Sequence, residues 1–82
     1  MAASLKTQLR SYGCESEPWQ FRERLADLMF NLYPGWTDER LTLNPDEAKR
    51  YCHEVRASFG IKFPDEFVLG SLCNIRRHAL KA

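Results

Sequence analysis

Residues 44–60 read NPDEAKRYCHEVRASFG and carry the most regular hydrophobic pattern in the chain. Apolar side chains recur there at the three- and four-residue steps that place them on one face of an α-helix. Those side chains are Ala48, Tyr51, Cys52, Val55 and Phe59. The pattern therefore predicts an amphipathic helix over residues 45–59 that buries this face against the rest of the protein.

Both ends of this stretch carry residues that favour the start and the end of a helix. Asn44 is a good N-cap, a proline occupies the first helical position, and Glu47 stands where a capping box has its acidic residue. Leu43 and Ala48 have the spacing of a hydrophobic staple. Gly60 suits the left-handed position that follows a helix. Local signals alone thus predict the limits of this element.

Two further helices are predicted on either side of it. The first covers residues 18–33, begins at Pro18 and ends before Pro34 and Gly35. Its main apolar stripe consists of Phe21, Leu25, Leu28, Met29 and Leu32. The last covers residues 64–80 and follows a short connection. Its predicted buried face includes Val68, Leu72, Cys73 and Ile75.

Two weaker helical elements complete the predicted fold. Apolar residues with helical spacing indicate a short helix over residues 3–12, and Thr37 is placed to cap a helical turn that reaches Leu41. No stretch alternates between apolar and polar residues for long enough to predict a strand. We therefore expect an all-α protein, a compact bundle of three or four helices in a single small domain over residues 1–82.

The composition is that of an ordinary globular domain and excludes several classes of protein. Of the 82 residues, 44% are hydrophobic and 28% are charged, and the mean hydropathy is -0.49. These values argue against a disordered chain and against a membrane-spanning one. No apolar segment follows the first positive charge, so a secretory signal peptide is not predicted. We expect a cytoplasmic protein that does not contact a membrane.

The formal net charge of +1 hides an uneven distribution along the chain. Residues 1–14 carry a net charge of +2, residues 15–66 carry -4 and residues 67–82 carry +3. Eight of the 11 acidic residues stand in pairs at the start of predicted helices or helical turns, where they stabilise the positive end of the helix dipole. The interaction with helix dipoles therefore explains the positions of most acidic residues. The basic C-terminal segment remains a candidate contact for an anionic partner.

The residues that most often carry catalysis or bind metals do not form a typical pattern here. Three cysteines without a C-x-x-C spacing suggest neither a disulfide framework nor a zinc ribbon. Cys52 and Cys73 are predicted to lie in the core, and Cys14 is predicted to be exposed. His53 and His78 do not share a helix face with the cysteine nearest to them in sequence. We therefore expect no enzyme, no metal site and no cofactor.

The helix over residues 18–33 carries a second apolar stripe, formed by Trp19, Ala26, Phe30 and Tyr33. An apolar face this wide cannot be buried by one neighbour, so either another part of the chain, for which the N-terminal helix is a candidate, or another molecule must cover it. Further aromatic residues, Trp36, Phe63 and Phe67, lie in or near connections. The chain therefore has more aromatic residues than its clear core positions need, which favours a protein-interaction or self-association module. The candidate partner-binding residues are Trp19, Phe30, Tyr33, Trp36 and Phe67.

The alternative hypothesis is DNA or RNA binding through the last helix. Its outward face combines small, hydrogen-bonding and cationic residues, and the two last helices resemble a helix-turn-helix in their order. The candidate nucleic-acid-binding residues are Ser71, Asn74, Arg77, His78 and Lys81. Against this hypothesis, Asp65 and Glu66 lie at the end of the helix that usually enters the groove, where they repel phosphates.

Overall fold

Residues 4–81, the part of the chain that the structure describes, form five helices joined by short connections. The structure, a computed structural model, describes residues 4–81, with side chains up to residue 75. The helices are α1 (Leu5–Ser11), α2 (Pro18–Leu32), α3 (Asp38–Thr42), α4 (Pro45–Phe59) and α5 (Asp65–Lys81). No strand occurs within this range, so the all-α prediction is confirmed, and both weaker elements are helices in their own right. None of the described helices has the length and apolarity needed to cross a bilayer.

The hydrophobic core receives side chains from all five helices. Helix α4 contacts α2, α3 and α5, and four of its five predicted face residues are buried, with Phe59 half-buried. The other helices contribute Leu9 from α1, Phe21 and Leu25 from α2, Leu41 from α3, and Val68 and Leu72 from α5. Each such side chain stabilises the fold by about 1.5–3 kcal/mol relative to an exposed position. The predicted face of α4 is therefore the centre of the bundle.

Phe63, in the connection between α4 and α5, is a buried core residue. Its ring centroid lies 5.4–5.8 Å from those of Tyr12, Phe21, Phe59 and Phe67. The sequence counts Phe63 among the aromatic residues in or near connections that favour an interaction module, but the structure assigns it to the core. The short connection turns its side chain inward, so that one ring contacts residues of α2, α4 and α5 and the residue that ends α1.

The helices begin and end close to the predicted residues, but some of the predicted capping contacts do not form. Gly60 has a left-handed φ of +66°, and the Thr37 hydroxyl accepts a hydrogen bond from the Arg40 N–H at 3.0 Å. The side chain of Asn44, however, donates to the Arg40 carbonyl at 2.6 Å and does not cap α4. Leu43 is 80% exposed, so no staple forms. Asn44 lies two residues after the end of α3, whose last carbonyls need donors, and this explains the difference.

An ion pair fixes the turn between α4 and α5. The Arg56 guanidinium donates from Nη1 to the Asp65 carboxylate and to the Phe63 carbonyl, the latter at 3.2 Å. Both charged side chains are partly exposed. The arginine therefore joins the last turn of α4 to the first turn of α5 and holds the residue that carries the central ring.

Tyr51→Phe tests the hydrogen bond at the centre of the core. The fully buried Tyr51 hydroxyl donates to the Leu25 carbonyl of α2 at 2.8 Å. Its loss should lower the free energy of unfolding by about 1 kcal/mol, the typical net value of such a bond. Chemical denaturation measures the change, and Tyr12→Phe, at an exposed position, is the control. Equal effects of the two substitutions would contradict the assignment.

Arg56→Met tests the ion pair in the turn between α4 and α5. The substitution keeps the aliphatic stem and removes the bonds to Asp65 and Phe63, so we expect a loss of about 1 kcal/mol, because the pair is partly exposed. Arg50→Met, at an exposed position of the same helix, should change stability by less than about 0.5 kcal/mol. Thermal and urea denaturation of the three proteins provide the comparison.

Candidate interaction surface

The outward side of α2 exposes large apolar side chains. Trp19 is 60% exposed and Phe30 is 76% exposed, with the exposed Ala26 between them. The steps of seven and four residues place all three on one side of the helix. We call these three residues the α2 outer stripe. The sequence suggested α1 as one candidate to cover it, but α1 buries Leu9 in the core and leaves the stripe exposed.

An open groove of about 330 Å³ adjoins the stripe at the C-terminal half of α2. Helices α2 and α5, the connection after α2 and the first residue of α3 form its walls. The lining residues are Ala26, Met29, Phe30 and Tyr33, then Gly35, Trp36, Thr37 and Asp38, and Leu72 and Ile75. We call it the α2–α5 groove. Because Ala26 and Phe30 belong to both features, the stripe and the groove form one continuous surface.

Two aromatic residues give the groove its shape. Tyr33 is only 6% exposed, and its hydroxyl donates to the Glu47 carbonyl of α4 at 3.2 Å. Burial, followed by the interaction with Glu47, raises the pKa of Tyr33. The next turn contains Gly35 with a φ of +83°, a conformation that favours glycine. This turn places the Trp36 ring 5.2 Å from that of Tyr33.

The charged groups around Trp36 carry opposite signs. The guanidinium carbon of Arg40 lies 4.2 Å from the centre of the Trp36 ring, the geometry of a cation–π interaction. Asp38 lines the groove itself, whereas Arg40 is not among its lining residues. Among the described lining residues, the groove therefore combines aromatic side chains with the carboxylate of Asp38.

The five predicted partner-binding residues occupy three different environments. Trp19 and Phe30 are exposed, and Trp36 is half-buried at the groove. Tyr33 is buried, and the small part of it that remains accessible lines the groove. Phe67 is half-buried against other rings, 5.5 Å from Phe21 and 5.0 Å from Tyr12. The structure thus brings Phe30, Tyr33 and Trp36 together at the groove. Phe67 instead packs against the rings of Tyr12, Phe21 and Phe63, which we call the aromatic cluster.

The sequence-based prediction missed several residues that line the groove, among them Met29, Asp38 and Ile75. Met29 and Ile75 were assigned to the core, and Asp38 was explained as a charge at a helix start. All three line the groove. The helical cap at Thr37 was the available signal for Asp38, because it fixes this residue one position after the cap and two after Trp36.

The structure describes only part of the predicted nucleic-acid-binding face. Asn74 is exposed as predicted, but Ser71 is only 8% exposed, so its prediction as an outward residue is wrong. Helix α5 contacts α2, α3 and α4, and these three neighbours bury a wider arc than a single-sided helix would. The side chains of Arg77, His78 and Lys81 lie outside the described residues. Nucleic-acid binding therefore stays a prediction.

The cysteine thiols are positioned for packing. Cys14 is 2% exposed, contrary to the prediction, because Gly13 turns the chain with a φ of +86° and the Cys14 N–H bonds to the Leu9 carbonyl at 2.9 Å. Burial, followed by the Asp65 carboxylate, raises the pKa of Cys52 to about 11. This thiol is protonated at neutral pH and is a poor nucleophile. Among the side chains described, no three His, Cys, Asp or Glu residues are grouped to hold a metal ion.

No protein-family model matches the chain, and no curated protein or solved structure shows significant similarity to it. The residues themselves are therefore the basis for a functional interpretation. Among the described residues, the stripe and the groove form the continuous surface that combines exposed aromatic side chains with a concave shape.

Stability should fall at alkaline pH because the fold favours the neutral forms of buried acids. Burial raises the pKa of Cys52 from 9.0 to about 11 and also raises that of Tyr51. Stability should therefore be constant up to about pH 8, where both groups are protonated in the folded and in the unfolded chain. As pH rises to 11, it should fall by about 2 kcal/mol for Cys52 and by about 1 kcal/mol for Tyr51, whose unfolded-state pKa is 10.0, because both groups ionise more readily in the unfolded chain. Urea denaturation at pH 8, 9, 10 and 11 measures this loss.

Cys52→Ala separates the contribution of the thiol. The substitution lowers stability at pH 8 by removing buried volume, but it should flatten the decline between pH 9 and 11. The outcome that contradicts the assignment is a decline identical to that of the unsubstituted protein.

Proposed function

We propose that the protein is a non-catalytic interaction module that buries the α2 outer stripe and the α2–α5 groove against another polypeptide. The observation that carries this proposal is the exposure of Trp19 and Phe30 beside a concave apolar surface. Contiguous exposed apolar patches mark interaction sites in small domains, whereas single exposed apolar residues do not. Leu43 is an example of the second kind, since it lies neither on α2 nor among the residues that line the groove.

The shape of the surface fits a partner helix or another elongated segment. Trp19 and Phe30 are 11 residues apart on α2, which corresponds to about 16 Å along the helix axis. Ala26 lies between these aromatic ends and leaves room for the backbone of a partner to approach closely. A segment that packs along the stripe would meet Trp19 at one end and the groove at the other. Large aromatic residues at such points dominate the binding energy of many interfaces.

The non-catalytic part of the proposal is supported by the environment of the acids and thiols. Asp38 and Glu39, and likewise Asp46 and Glu47, occupy the first turns of α3 and α4. Asp65, the first residue of α5, is paired with Arg56 of α4. Three free cysteines, of which two are buried, agree with the reducing compartment expected for a cytoplasmic protein, and we propose that location with the function.

Photo-crosslinking from the stripe tests the proposed function. We expect p-benzoylphenylalanine at position 30, incorporated in the expressing cell, to form an adduct with one discrete polypeptide, which mass spectrometry identifies as a second copy or as a different protein. Adding Trp19→Ala should reduce the adduct at least about tenfold, because the other anchor of the surface is lost. The same probe at position 43 is the control, since Leu43 is equally exposed but lies outside the surface.

Sedimentation velocity of the purified protein completes this test. If the partner is a second copy, the unsubstituted protein should self-associate, and Phe30→Ser should make it monomeric while Leu43→Ser leaves the association unchanged. Equal crosslinking from positions 30 and 43, together with a monomer at every concentration, would overturn the proposed function.

A further inference from the structure

The outward side of α2 carries a protruding aromatic side chain and a hollow on the same face of the helix. We propose that these two features fit together between two copies of this chain, which pair through α2 in antiparallel orientation about a twofold axis near Ala26. The inference rests on the proposed function, because it names the partner that covers the α2 outer stripe. Shape and charge both support it.

The hollow lies at the N-terminal half of α2 and has a volume of about 320 Å³. Its lining residues are Trp19, Gln20, Glu23, Arg24 and Asp27. Phe30 is 76% exposed and lies at the other end of the stripe. A twofold axis requires a surface that is complementary to itself. A face with a protruding ring at one end and a hollow at the other meets this requirement when two copies run in opposite directions.

The spacing along the helix agrees with this pairing. The residues that line the hollow are centred near position 23, and Phe30 lies seven residues further along, so the axis that relates them falls next to Ala26. The small side chain of Ala26 lets the two helices approach closely at this point. Each Phe30 then reaches the hollow of the other copy. In a parallel pair, by contrast, Phe30 would face Phe30 and neither hollow would be filled.

The charges on this side of α2 also suit a second copy. Residues 19–30 carry two cationic and two acidic side chains, so the surface has no net charge that would repel its own copy. Arg24 and Asp27 are both exposed, and neither makes an ion pair within the part of the chain that the structure describes. Both lie on the same flank of the stripe, and equal flanks of two antiparallel helices face each other.

An axis near Ala26 pairs these charges across the two copies. Arg24 of one copy falls within about 2 Å, along the helix direction, of Asp27 of the other. Two identical ion pairs therefore flank the axis. The two copies of Glu23 stand about 9 Å apart along the same direction, so their repulsion is weaker than the attraction within each pair.

The size of the contact predicts a reversible dimer. Helix α2 has 15 residues, so it is about 22 Å long and about 10 Å wide. A contact confined to one face of such a helix buries less than the roughly 800 Å² per partner of a standard interface. We therefore expect a dissociation constant on the order of 100 μM.

Charge reversal at the paired positions tests the inference. Arg24→Asp places four acidic groups beside the axis and Asp27→Arg places four cationic ones, so each variant alone should associate at least about fivefold more weakly than the unsubstituted protein. An equal mixture of the two variants restores both ion pairs and should associate about as tightly as the unsubstituted protein. Sedimentation velocity at low ionic strength measures these constants. Lys49→Asp, at an exposed position of α4, is the control and should change nothing.

Introduced cysteines test the orientation of the pair. Ala26→Cys places two thiols at the axis, so mild oxidation should give a covalent dimer. Glu23→Cys is the matched control, because its two copies are close in a parallel pair but about 9 Å apart along an antiparallel one, beyond the reach of a disulfide. No covalent dimer from Ala26→Cys, or one that forms as readily from Glu23→Cys, overturns the antiparallel pairing.

The outcomes also separate this inference from the proposed function. A monomer at every concentration overturns the pairing of two copies, and so does a mixture of Arg24→Asp and Asp27→Arg that associates no better than either variant alone. If the adduct from position 30 then contains a different protein, the interaction module stays in place and only the second copy is refuted. Without a specific adduct and without self-association, both proposals fail.

Discussion

The burial of Phe63 is the constraint on which the arrangement of the helices depends. Its ring contacts four other aromatic rings, and these belong to α2, the end of α4, α5 and the residue that follows α1. Aromatic pairs at these distances contribute about 0.5–1.5 kcal/mol each beyond the area that they bury. Phe63 precedes a proline, so its backbone is restricted to extended conformations, and the chain enters α5 with this ring directed inward.

This arrangement determines which side of α2 remains available. Phe21 packs in the aromatic cluster and Leu25 accepts the hydrogen bond of the buried Tyr51, so the inner side of α2 is committed to the core. Helix α1 contacts α2 and ends against the same aromatic cluster, at Tyr12. Since the neighbours of α2 gather on its inner side, Trp19 and Phe30 stay exposed. The α2 outer stripe is therefore the side of an amphipathic helix that the described neighbours of α2 leave exposed.

The sequence predicts those features of this protein that depend on a few consecutive residues. The limits of α4, the left-handed Gly60 and the Thr37 cap are of this kind, because period, capping and turn chemistry are local. The inward turn of Phe63 and the burial of Ser71 were not predicted, since they depend on where the neighbouring helices lie. The groove unites Trp36 with Ile75, which no local pattern connects, so only the packed structure shows it.

The groove has a buried floor, to which Tyr33 belongs, and an exposed edge. Tyr33 and Leu72 are buried, and Tyr33 is also bonded to the backbone of α4, so the floor belongs to the folded scaffold. Phe30 and Thr37 stand at the exposed edge. Substitutions at the edge would change the surface that the proposed interaction offers to a partner without opening a cavity beneath it, whereas substitutions in the floor would change both. If the proposed interaction holds, its selectivity can diversify at the edge while the scaffold beneath it stays the same.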